Sequence, residues 1–206
     1  MSNAKAIFKD AMILTAITLV AGFLLGLVFQ VTAAPREQAA KAQTEAAYKS
    51  VFADASSFED KKDFDGDAAT KLVQKADADY ATVKITGVSE AKGSDGKTLG
   101  YVITVVTKSY GGDATLAMGV TNEGVLNGYS ITDISDTPGL GMKAKEAKFM
   151  DQFKNLAAGT LKVTKSSPAG DGEIEAISGA TITSAAVTRA VNAGFVYFQS
   201  LGGGAK

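Results

Sequence analysis

The chain has 206 residues, 46% of them apolar and 21% charged, and its 21 Lys and Arg nearly balance 22 Asp and Glu for a net charge of −1. This is enough apolar sequence for one core; three prolines and low net charge argue against a disordered chain, and the lack of a basic excess argues against a nucleic-acid partner. The absence of His and Cys excludes Ser-His-Asp and Cys-His nucleophiles, Cys/His zinc sites, protein-ligated iron–sulfur clusters and disulfides, so no metal site is expected and chemistry must rest on carboxylates, Lys, hydroxyls or a bound cofactor.

No charged residue stands between Asp10 and Arg36. Residues 11–35 are therefore predicted to cross a membrane as one helix, since a hydrocarbon core of roughly 30 Å needs about 20 apolar residues. The competing reading is a cleaved signal peptide, with Lys5 and Lys9 before the apolar run and Val31-Thr32-Ala33 as a cleavage site. The run is longer than the roughly 7–15 apolar residues of such a peptide, so an uncleaved anchor is the expectation. Residues 1–10 form a cytoplasmic tail, and the long following domain is expected outside, because long domains translocate whatever their charge. Gly22 and Gly26 have GxxxG spacing. It serves either close packing on a partner helix or simply reflects the frequency of Gly in membrane helices.

Residues 36–60 are expected to form a helical stalk. Up to about position 56 they are rich in Ala, Glu, Gln and Lys, with Tyr48, Val51 and Phe52 in an apolar stripe. Residues 61–206 form one α+β domain. Asp63-Phe64-Asp65-Gly66-Asp67 imitates a calcium loop, but the glycine is one place early and Gln74 stands where Glu is needed, so it reads as a solvated polar loop. Strand patterns follow at 83–89, 99–108, 114–121 and 125–134, separated by short turns with Gly, Asn and Asp. They predict an antiparallel meander of about four strands. Helical patterns at 144–153 and 183–201 complete an antiparallel sheet with packed helices.

Two motifs carry possible chemistry. Ser178, Gly179, Ala180, Thr181, Ile182, Thr183 and Ser184 directly precede or open the last helix. Unpaired amides and the positive helix end suit a phosphate there; an ordinary Ser/Thr N-cap would use the same residues without any ligand. Asp136, Thr137, Pro138, Gly139, Leu140 and Gly141 end the fourth strand. Leu140 between two glycines either lies flat against a planar ring or tucks into the core at a strand-to-helix turn.

The anchor, the run TPGLGMKAKEAKFMDQF and the run SGATITSAAV, in this order, resemble the FMN-binding G subunits of Rnf complexes; the C subunit of the sodium-pumping NADH:quinone reductase is a related protein. The resemblance covers essentially the whole chain. It implies a membrane-anchored electron-transfer subunit of an oxidoreductase that couples ferredoxin:NAD electron transfer to sodium or proton translocation. Residues 61–206 become an FMN-binding domain on the extracytoplasmic side of the cell membrane. Thr181 would carry FMN as a phosphoester, installed from FAD and magnesium by a separate flavin transferase, with Ser178, Gly179, Ala180, Thr183 and Ser184 around the phosphate. Asp136, Thr137, Pro138, Gly139, Leu140 and Gly141 would contact the flavin ring, with Leu140 against it. Where the family usually has Asp three residues before the Ser, this chain has Glu175, and where it often has Glu before TPGLG, this chain has Asp136. Further partners implied are the other subunits of the complex and membrane lipid. Two alternatives are a C-type quinone-reductase subunit and an anchored scaffold without redox function, which would be colourless.

Overall fold

The computed structural model describes residues 2–167 and 169–203. A largely apolar sequence without proline forms α1, Ser2–Val31, whose Ala4–Val31 portion is long and apolar enough to cross a membrane. Its Ile, Leu, Val and Phe side chains are exposed in this chain, as expected of a surface meant for lipid. Thr15, Thr18 and Thr32 return their hydroxyls to carbonyls one turn back. The helix breaks at Thr32, short of the expected end at residue 35. Pro35 follows in the first turn of α2, Ala33–Val51, where its missing N–H is tolerated. Arg36 then donates from Nη2 to the carbonyl of Phe29 at 3.0 Å and lies 4.3 Å over the Phe29 ring.

The second unit begins at Thr44. Here the expected stalk is corrected: α2 ends at Val51, and Ser57–Asp60 is a strand, β1, paired antiparallel with β2, Lys84–Lys92. The apolar stripe read from Tyr48, Val51 and Phe52 does not extend a helix through 60. It seats the end of α2 on the sheet, in a small cluster with Ala47, Ala55, Ala91, Val102 and Ala117.

The meander is as expected in order and direction, with β3 at Thr98–Lys108, β4 at Asp113–Thr121 and β5 at Val125–Asp133. Edge strands β1 and β6, Leu156–Ala157, make the sheet six-stranded. In β3, Val102 faces the α2 cluster while Ile103 and Val105 join the main core, which accounts for its apolar residues on both faces.

Two helices fill the main core. Between β1 and β2 lies α3, Gly66–Ala76, which buries Ala69 and Val73. Asp65, read above as part of a polar loop, is its N-cap and accepts from the amides of Asp67 and Ala68 at 3.0 Å. The helix expected at 144–153 is instead three short pieces: a 3-10 turn at Gly141–Lys145, the helix α4 at Ala147–Met150, and a second 3-10 turn at Asp151–Phe153. Extended Glu146 interrupts the first two, yet Phe149 and Phe153 still meet, 5.5 Å between centroids. A parallel pair, β7 at Lys162–Thr164 and β8 at Glu173–Glu175, precedes the long buried helix α5, Thr181–Ser200.

Candidate functional site

The two motifs singled out in the sequence meet. The bond between them is short: Thr183, in the first turn of α5, donates its hydroxyl to Asp136 Oδ2 at 2.5 Å. Asp136 is buried and also accepts from Ser109 Oγ at 2.6 Å and from the Gly111 amide at 2.7 Å. One carboxylate thus ties the loop after β5 to the β3–β4 turn and to α5. Burial pushes its pKa up, but the donors Ser109 and Thr183 and the amides of Gly111 and Tyr110 outweigh burial and hold it below the ordinary carboxylate value. Gly141 permits the approach, because a Cβ there would stand 2.5 Å from Asp136 Oδ2 and 2.6 Å from Thr183 Oγ1.

Around this junction lies a cavity of about 410 Å³, a size ordinary for small-molecule and cofactor sites. Asp136, Thr137, Leu140 and Gly141 line one part of it; Gly179, Ala180, Thr181 and Thr183 line another. Pro138 and Gly139 shape the loop without lining the cavity. Ser178 lines a neighbouring cleft of about 570 Å³ with Lys143, Glu146 and Glu175. In that cleft Glu175 accepts from Ser167 Oγ at 3.0 Å, while Gln152 holds its backbone, accepting from its amide at 2.7 Å.

The hydroxyls of the second motif divide sharply. Ser184 is fully buried; it accepts from the Ile177 amide at 2.9 Å and donates to the Ala180 carbonyl at 3.0 Å. It staples the loop before α5 and does not line the cavity, whereas the sequence expectation placed it around the phosphate. Thr183 is spent on Asp136. Thr181 is exposed at the first position of α5 and has no side-chain partner among the described residues. Beside it, the amides of Thr181, Ile182 and Thr183 lack backbone acceptors, and Ala180 provides no side-chain cap. These are the donors that an anion at a helix N-terminus takes up.

The mouth is apolar. Outside α1, the exposed large apolar side chains among the described residues are Leu72, Tyr110, Leu140 and Ile182, and the last three line this cavity. Leu140 lies over Gly179, whose φ of +77° favours glycine and whose Cβ, if present, would meet Leu140 Cδ2 at 3.1 Å. So Leu140 is not tucked into the core. Tyr110 lies outside both motifs, and Ile182 stands inside the second without a role assigned to it. The available signal was a bulky apolar side chain inside a glycine turn and inside a hydroxyl-rich helix start. A planar apolar group at the mouth with a phosphate at Thr181 fits this arrangement. Among the described residues no group of three or more acidic side chains is placed to hold a metal ion.

The FMN-binding domain family matches residues 109–195. The G subunit of the Na⁺-translocating ferredoxin:NAD⁺ oxidoreductase complex of Acetobacterium woodii is 33% identical over 202 residues, covering 96% of this chain and 94% of that protein. The G subunit of the proton-translocating ferredoxin:NAD⁺ oxidoreductase complex of Clostridium ljungdahlii is 42% identical over 95 residues, 46% of this chain and 51% of that protein. Among solved structures, the C subunit of the Na⁺-translocating NADH-quinone reductase from Parabacteroides distasonis matches with a TM-score of 0.48 at 22% identity, covering 70% of this chain and 76% of that one.

Proposed function

Because the chain belongs to the G-subunit family of ion-translocating ferredoxin:NAD⁺ oxidoreductase complexes, we propose that it is their membrane-anchored electron carrier, with FMN held covalently through a phosphoester to Thr181. The observation that carries this reading is the division of hydroxyls at the start of α5. Thr183 and Ser184 are buried and bonded, while Thr181 is exposed and, among the described residues, free beside three unpaired amides. The flavin supplies the redox chemistry; the chain binds and orients it. The amides of Thr181, Ile182 and Thr183 face the phosphate charge. Leu140 and Ile182 offer apolar surface to the ring, and Asp136 keeps the two motifs in register.

Attachment requires a flavin transferase using FAD and magnesium. The Thr181 oxygen forms the new bond to phosphorus, the pyrophosphate bond breaks, AMP leaves and the hydroxyl proton is released. Glu175 keeps the negative charge of the recognition signal. The remaining subunits of the complex are the electron partners, and the coupling ion, sodium or proton, is theirs to determine. The apolar helix is the membrane anchor, with residues 1–10 in the cytoplasm and the FMN domain outside.

The test is expression of the full chain with a flavin transferase, denaturing electrophoresis and in-gel flavin fluorescence. The wild-type band is expected to fluoresce and the Thr181→Ala band to be dark, with equal protein. A fluorescent Thr181→Ala band overturns the attachment site; a dark wild-type band beside a labelled control flavoprotein overturns the covalent carrier and favours the scaffold.

A further inference from the structure

Tyr110 is 68% exposed. Neither its ring nor its hydroxyl has a partner among the described residues, yet the backbone beneath it is tightly held. On one side Ser109 Oγ donates to Asp136, and on the other the Gly111 amide does. Gly111 packs so closely on the Ser135 carbonyl that no Cβ fits between them. Arg189, the single Arg of the second unit, reaches across from α5 and donates to the Lys108 carbonyl at 2.7 Å, just ahead of the same turn. The turn is therefore fixed while its aromatic side chain is left in water at the mouth of the cavity. A fixed backbone with a free ring is preorganised for stacking, since only two side-chain torsions need to be ordered.

We infer that Tyr110 is a positioning residue for the cofactor, covering the flavin ring at the mouth of the cavity together with Leu140 and Ile182. The inference rests on the reading that this cavity holds the ring. It has an optical consequence. A phenol in contact with an excited flavin passes it an electron and takes it back, which quenches emission with no net chemistry. The chain has no Trp, and Tyr110 is the tyrosine that lines the cavity.

The experiment compares full-length wild type, Tyr110→Phe and Tyr110→Leu in detergent, each carrying covalent flavin from co-expression with the transferase. Occupancy is read first from the denaturing gel. Flavin emission and anisotropy are then read before and after unfolding in urea. Wild type should brighten severalfold on unfolding. Tyr110→Leu should already be bright when folded, with lowered anisotropy. Tyr110→Phe should keep the wild-type anisotropy, because a ring still covers the flavin, yet be brighter than wild type, because phenylalanine is a poor electron donor. Melting temperatures should match, since the side chain is exposed. A folded Tyr110→Leu protein as dark as wild type at equal occupancy overturns the inference; Tyr110 then serves another purpose, such as contact with another protein of the complex. Absence of covalent flavin from all three chains overturns the reading of the site, and the inference with it, before any emission is measured.

Discussion

Asp136 shows how much one side chain can settle. Three donors from two separate segments converge on it, so replacing it strands them all in a poorly hydrated place. Asp136→Ala should lower unfolding free energy by about 3 kcal/mol, the scale of lost charge-assisted bonds plus unsatisfied donors, measured by urea titration. The pH dependence follows from its lowered pKa. The unfolded chain binds this proton more tightly than the folded one. The stabilisation is therefore complete above the ordinary aspartate value near 3.9 and is lost as pH falls through the lower folded value. Acid unfolding curves of wild type and Asp136→Asn should converge below about pH 4 and separate above it; parallel curves would show that the carboxylate does not titrate in this way. The sequence marked Asp136 as a candidate ring contact, but not as a latch. Its partners at positions 109, 111 and 183 are distant in the chain, and no local pattern announces them.

At the scale of elements, the sequence was most informative where periodicity is strong. The alternation in β2 to β5 and the long apolar face of α5 gave their order and approximate bounds. Elements whose formation depends on tertiary support were not legible. The helix α3 was hidden because its N-cap Asp65 sits in a run of aspartates that resembles a loop. The parallel pair β7 and β8 is only three residues long on each side, below the length at which alternation is distinguishable. Thr181 is proposed as the attachment point on the resemblance of its motif, whereas the buried state of Ser184 is visible only in the loop geometry. The position of α5 over the sheet makes a separate prediction. Gly194 faces Met118, whose sulfur occupies the space where a Cβ would go, and Met118 is itself fully buried. In an exposed helix, Gly→Ala gains about 1 kcal/mol. Here overpacking should exceed that gain and leave Gly194→Ala less stable by about 1–2 kcal/mol. A thermal melt checks it, and a raised melting temperature would mean that Met118 can move aside.

At the scale of the whole molecule, the apolar α1 and the flavin chemistry make one connected argument. A helix whose residues 11–31 carry no charge and are exposed throughout is stable in lipid and a liability in water. A domain held outside the cytoplasm, as proposed, could not recapture a dissociated flavin from a cytoplasmic pool, so the proposed covalent link would serve a need that a tight site alone would not meet. Sidedness is therefore the premise to test, and the chain suits the test because it contains no Cys. Single cysteines placed at exposed positions can be labelled with a membrane-impermeant maleimide without background. Ser94→Cys lies in the turn between β2 and β3, and Ala6→Cys lies ahead of the proposed span; both positions are exposed. In intact spheroplasts Ser94→Cys should label and Ala6→Cys should not, and both should label once the membrane is permeabilised. The reverse pattern would place the domain in the cytoplasm, where flavin could be replenished and the need for a phosphoester at Thr181 would require another explanation.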